Sequence, residues 1–182
     1  MIHHMKSLFI FLISMVFSQI LSAVEIPQLV SADLITHPEM KSLEGKFKVL
    51  IFMNRHCPCT KAHYQHLNLL AQKNPHVAFY GIHSLKGDEM KEVREFYRLN
   101  QMQFPLINDP KLIWANALKA VKTPHVFVLD DQDEILYQGA VTNSRDAERA
   151  SEFFLKEVLE DISQGKELRH KETRSLGCAI VR

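Results

Sequence analysis

Two kinds of hydrophobic pattern alternate along this chain. The continuous apolar runs Phe47–Met53 (FKVLIFM) and Val77–Ile82 predict buried strands. Between them, Tyr64, Leu67, Leu70 and Ala71 recur at spacings of three and four, which predicts a helix over Thr60–Lys73. A second helix is expected over Asp88–Leu99, opened by acidic residues and faced by Met90, Val93 and Tyr97. Phe104–Ile107 reads as a short strand. Asn108-Asp109-Pro110 then opens a helix with Ile113, Ala117 and Ala120 on one face. His125–Leu129 (HVFVL) and Glu134–Val141 flank the polar turn 130–133 and predict a hairpin. Ser144–Ser163 reads as a long amphipathic helix with Ala147, Ala150, Phe154, Val158 and Ile162 inward. The charged stretch Lys166–Arg174 reads as a solvated tail leading to Leu176-Gly177-Cys178-Ala179-Ile180. Strands alternating with helices, closed by a hairpin and a last helix, indicate an α/β layer sandwich. Its sheet should be mixed, parallel at the helical crossovers and antiparallel at the hairpin.

The first residues follow another pattern. Lys6 precedes the apolar run Leu8–Phe17, and Leu21-Ser22-Ala23 ends it with a small residue. This is the pattern of a secretory signal peptide, and the run falls short of the about 20 residues usual for a membrane span. No cysteine lies near the cut, so a lipid anchor has no attachment point. The expected organisation is a signal peptide over 1–23, a domain over 24–165 and a tail over 166–182. Export, periplasmic or secreted, would place the mature chain in an oxidising compartment.

Composition narrows the function classes. Of 182 residues 46% are hydrophobic, and 22 Lys+Arg stand against 21 Asp+Glu, which fits one well-buried domain rather than a disordered chain. The net charge of +1 offers no electrostatic basis for binding nucleic acid, and six unclustered glycines exclude a phosphate-binding loop. Three cysteines are too few for a disulfide framework, and their odd count leaves at least one thiol to explain.

The segment Asn54-Arg55-His56-Cys57-Pro58-Cys59-Thr60-Lys61 lies between the first strand and its helix. Cys57 then sits at a helix N-terminus, where unpaired N–H groups and the helix dipole favour a thiolate, the reactive form of cysteine. Arg55, His56 and Lys61 act in the same direction if they reach the sulfur. Pro58 suits the first helical turn because its missing N–H would be unpaired there. Further on, Thr123-Pro124-His125 leads into an apolar strand, and a proline at that place marks an edge, a turn or a cis bond.

Taken together, over about Val24 to Arg182, these residues resemble the redoxin branch of the thioredoxin superfamily, which includes the TlpA-like thiol reductases and the AhpC/TSA proteins. The resemblance rests on the strand–Cys57–helix unit, on Phe104-Pro105-Leu106-Ile107-Asn108-Asp109-Pro110, on Thr123-Pro124 before a strand, and on the hairpin with Asp130 and Gly139. It implies a thioredoxin-like three-layer sandwich, with a central mixed sheet flanked by helices. It also implies a thiol–disulfide oxidoreductase needing no cofactor. Cys57 would be the attacking thiol, Pro124 the cis-proline beside it, and His56, Pro58, Thr123 and His125 the lining of the substrate groove. The implied partners are a protein or small-molecule disulfide or peroxide and a thiol reductant or oxidant.

The departures are equally specific. One residue separates Cys57 from Cys59 where two are usual, and Thr60 holds the place of the resolving cysteine. Two side chains two residues apart point to nearly opposite sides of a helix, so a disulfide between Cys57 and Cys59 would be strained. Asn54 and Leu50 stand where typical peroxiredoxins carry threonine or serine and proline, which counts against a standard peroxidase site. The tail sequence 173–180 looks like the C-terminal Gly-Cys motif of some exported redoxin-domain proteins, which makes Cys178 a candidate resolving thiol; docking of the tail through a small apolar side chain is the other reading. Two further classes stay open. One is a copper(I) or zinc site of Cys57, Cys59 and His63, with Cys178 possible, partly matching the Sco copper chaperones. The other is a scaffold without turnover.

Overall fold

The computed structural model describes Glu25 and residues 45–182. The signal peptide expected over 1–23 lies outside the described residues. The elements are strands β1 (Phe47–Met53), β2 (Val77–His83), β3 (Leu106–Asn108), β4 (Lys122–Thr123), β5 (His125–Leu129), β6 (Ile135–Gly139) and β7 (Cys178–Ala179). The helices are α1 (Pro58–Lys61), α2 (Tyr64–Lys73), α3 (Met90–Leu99), α4 (Ile113–Ala117) and α5 (Phe154–Ser163). Five strands form one sheet in the order β3-β2-β1-β5-β6. The β1–β2 and β2–β3 pairs are parallel, whereas β1–β5 and β5–β6 are antiparallel, as expected for helical crossovers followed by a hairpin.

The continuous apolar character of β1 follows from burial on both faces. Val49, Ile51 and Met53 join the core under α2, α3 and α5, built with Leu67, Val93, Leu155 and Val158. Leu50 and Phe52 face the other core, where Trp114, Ala115 and Leu118 from the α4 region pack beside Ile180 of the tail. Helices therefore cover both faces of a mixed sheet, and β1, at its centre, delivers the chain to Cys57. None of the described helices is long and apolar enough to cross a membrane.

Four expectations from the sequence need correction. The helix expected over 60–73 is two helices, because the His63 backbone N–H bonds Thr60 O at 3.1 Å while its ring reaches Cys59 O. The long helix expected from Ser144 begins only at Phe154, with a single 3₁₀ turn at Ala147–Arg149 before it. The cause is competition from side chains: Asn143 Oδ1 accepts from the N–H groups of Ser151 and Glu152, and Asp146 Oδ1 from that of Glu148. Helix α4 starts at Ile113, after Leu112 in the left-handed region, with Asp109 accepting from the N–H groups of Trp114 and Ala115. That phase buries Trp114, Ala115 and Leu118 and leaves Ile113 and Ala117 exposed, so of the face read from sequence only Ala120 is buried. Finally, 166–174 is docked as well as charged. Arg169 bonds Asp161, His170 bonds Glu157, and Thr173 Oγ1 meets Tyr137 Oη at 2.7 Å.

Candidate functional site

Strand β1 ends at Met53, and Asn54–His56 turn the chain into α1, which starts at Pro58. Asn54 holds the turn: its carbonyl accepts from Cys57 N–H and its side-chain oxygen from His56 N–H. Cys57 occupies the N-cap with extended dihedrals, φ −79° and ψ 116°. The helical spacing argument against a Cys57–Cys59 approach therefore does not apply, since only Cys59 is helical.

Across the site, the Thr123–Pro124 peptide bond is cis and β4 presents its backbone to Cys57. The Cys57 thiol donates to Thr123 O at 2.9 Å. Cys178 arrives from the far end of the chain. Strand β7 pairs antiparallel with β4, placing Cys178 opposite Thr123 and Ala179 opposite Lys122. The sulfurs of Cys57, Cys59 and Cys178 all lie within 4.8 Å of one another, and all three are thiols. Cys57 is buried, and the other two are half-buried.

The electrostatics single out one sulfur. Burial pushes the Cys57 thiol up, but hydrogen bonds to its thiolate from Cys178, Thr123 and the Thr60 N–H outweigh it and bring the pKa down to about 7. Burial raises Cys59, and the neighbouring Cys57 charge raises it further. Burial and the same Cys57 interaction push Cys178 up to about 12. Of the three, only Cys57 is substantially ionised near neutral pH.

The remaining residues singled out from sequence divide between the site and its surroundings. Thr123 is fully buried beside the sulfur. His125 is buried at the start of β5, with Val121 N–H directed at its Nδ1 at 3.4 Å, and burial lowers its pKa to about 4. Pro58 and His56 are exposed at the rim. His63 is not brought into the sulfur cluster. Its Nδ1 lies 2.7 Å from Cys59 O and its Nε2 3.1 Å from Thr142 Oγ1, so both ring nitrogens are engaged. The three basic side chains thought able to reach the thiolate go elsewhere. Arg55 and His56 bond Asp88, and Lys61 lies over the Phe96 ring.

That Asp88 cluster escaped the sequence reading. Asp88 binds Arg55 at 2.8 Å and the buried His83 at 3.0 Å, and His83 passes on to Tyr97 Oη at 3.0 Å. Burial raises Asp88, but hydrogen bonds from Arg55, His83 and His56 overcome it and hold its carboxyl at about 2. Burial lowers His83 to about 4. The network anchors Arg55 and His56, the two residues leading to Cys57, to the start of α3. Only the acidic opening of that helix was legible beforehand.

Comparison with known proteins agrees with the architecture. An uncharacterized conserved protein from Geobacillus kaustophilus is similar at a TM-score of 0.74 and 20% identity, covering 88% of this chain and 90% of its own. A thioredoxin-like protein solved in its oxidized form matches at 0.57 and 14% identity, covering 70% and 84%. A putative thiol:disulfide interchange protein DsbE from Chlorobium tepidum matches at 0.51 and 18%, covering 66% and 79%. These likenesses show a thioredoxin-like fold. No curated protein matches the chain. A family model described as a domain of unknown function, DUF6436, matches residues 27–180, and the chain belongs to that family.

Proposed function

We propose that this protein is an exported thiol–disulfide oxidoreductase in which Cys57 is the nucleophile and Cys178 or Cys59 resolves. One observation carries the reading: three thiols lie within 4.8 Å of one another, and only Cys57 has a pKa near neutrality. The Cys57 thiolate attacks one sulfur of a substrate disulfide, forming a mixed disulfide and releasing the other half as a thiolate. Cys178, losing its proton, then attacks Cys57 Sγ; the second substrate thiolate leaves and a Cys57–Cys178 disulfide remains. Two enzyme thiols are oxidised and one substrate disulfide is reduced. A thiol partner resets the pair, and the same steps in reverse oxidise a dithiol. Thr123 and Pro124 line the approach to the sulfur, with Pro58, His56 and His125 around it. The signal-peptide pattern of 1–23 supports export.

The test is to oxidise the reduced protein with one equivalent of a small disulfide, block free thiols with a maleimide and map the peptides. Cys57 in every intramolecular disulfide is the expected result. A dominant Cys59–Cys178 bond, or no intramolecular bond, refutes the reading.

The same cluster supports a second reading, a soft cation such as copper(I) held by Cys57, Cys59 and Cys178 rather than by His63. Copper(I) titration with Cys178→Ser as the comparison tests it. Stoichiometric binding lost in the variant favours a metal site, and no binding removes it.

A further inference from the structure

Strand β4 is a two-residue edge whose carbonyl at Thr123 already holds the reactive sulfur, and its only strand partner among the described residues is the chain's own tail. We propose that the tail 174–182 occupies the docking place of the substrate, and that the substrate is an extended polypeptide carrying the local pattern Gly-Cys-x-apolar. This rests on the thiol–disulfide reading above and specifies what that site takes.

Three features of the tail define the pattern. Pairing with β4 sets the register, so any strand added there puts the residue opposite Thr123 within reach of Cys57, and in the tail that residue is Cys178. The residue before it must be glycine. At Gly177, with φ +137°, a Cβ would lie 2.0 Å from Thr123 O, the carbonyl that accepts from the Cys57 thiol. Two residues after the cysteine, Ile180 donates its N–H to Val121 O at 3.0 Å and buries its side chain beside Leu118 and Ala120. A small gap, a sulfur and an apolar pocket are therefore read in sequence along one edge.

The tail is also built to come off. It is fixed at Thr173 against Tyr137, and beyond that point it is held by β-pairing, by Ile180 and by Arg182, whose guanidinium bonds Ala120 O and Asn116 Oδ1. Peeling back from the C-terminus opens β4 to a polypeptide. When the tail returns, it displaces the substrate backbone from the edge and brings Cys178 to the mixed disulfide in one movement. Small disulfides need no strand docking and react with Cys57 while the tail is in place, so a modest rise in the open fraction changes their rate little.

The test uses full-length reduced protein and two probes that release the same chromophore, thionitrobenzoate. One is the synthetic peptide of residues 173–182 carrying its cysteine as the thionitrobenzoate disulfide; the other is the symmetrical nitrobenzoate disulfide. Ile180→Asp, and Arg182→Ala as the variant milder to folding, should speed the Cys57-dependent reaction of the peptide about tenfold by raising the open fraction. Both variants should leave the small disulfide within about twofold. A second peptide with valine in place of its glycine should not gain. Equal acceleration of both probes, no acceleration of the peptide, or a valine peptide as fast as the glycine one overturns the proposal. Failure of the oxidoreductase reading looks different: wild-type protein then releases no thionitrobenzoate from the small disulfide that depends on Cys57.

Discussion

Replacing Cys178 by alanine should raise the pKa of Cys57 and slow it at neutral pH. Cys57 ionises at about 7 against an ordinary 9.0, despite the burial that opposes its charge. That difference of two units corresponds to about 2.7 kcal/mol of net preference for the thiolate. The Cys178 side chain is the largest single contributor on the favourable side. A hydrogen bond to a charged group is worth about 1.5–3 kcal/mol, or about one to two pKa units, so Cys178→Ala should titrate near 8 or above. At pH 7 its thiolate fraction then falls from about half to about a tenth, and exchange slows about fivefold. Cys178→Ser, which keeps a donor, should stay within about half a unit of wild type. Ultraviolet thiolate absorbance against pH, under reducing conditions, reads the first titration directly. The reasoning fails if Cys178→Ala titrates with wild type, or if the serine variant shifts as far as alanine. The first result would mean that backbone N–H groups, not the tail thiol, set the reactivity, and the second that a hydrogen-bond donor at position 178 is not what lowers the pKa.

Other expectations concern stability. Asp88→Asn should cost about 1–2 kcal/mol in denaturant unfolding, since Asp88 is partly screened by solvent and its loss leaves Arg55 without its main partner. Because the folded pKa of Asp88 is depressed, its contribution is present above the ordinary carboxylate range and is lost as the pH falls toward about 2. His125 has a pKa of about 4 in the fold against 6.5 in the open chain, so on acidification the unfolded state takes up the proton first. Its cost should appear between pH 6.5 and 4, up to about 3 kcal/mol, and the fall in Tm over that range should be shallower in His125→Leu. An equal slope in that variant would place the acid sensitivity elsewhere, with the buried His83 as the next group to replace.

The fold was readable because its decisive signals are local. The apolar run of β1, the three-and-four spacing of α2 and the polar turn before β6 each specify an element without reference to distant residues. The same holds for Cys57 between strand and helix and for Pro124 before β5. What escaped depends on where the chain returns in space. Asp88 reads as an ordinary helix opener, and only the parallel β1–β2 pairing brings it and His83 alongside Arg55. Helical periodicity over 144–163 was real in its second half, but Asn143 and Asp146 offered the backbone stronger local bonds in the first. The stretch 166–174 looked solvated because its charge hid the contacts of Arg169, His170 and Thr173. Cys178 was visible as a candidate, but its partnership depends on pairing between β4 and β7, which no periodicity encodes.

The central claim is that Cys57 is the attacking sulfur of a thiol–disulfide couple. The most direct measurement is the rate at which reduced wild-type protein and the single Cys→Ser variants at 57, 59 and 178 reduce a small aromatic disulfide at pH 7. The account predicts that Cys57→Ser alone abolishes the fast phase, whereas the other two variants keep a single-turnover reaction that stalls at the mixed disulfide or resolves more slowly. A fast phase that survives in Cys57→Ser, or disappears in Cys59→Ser instead, contradicts it.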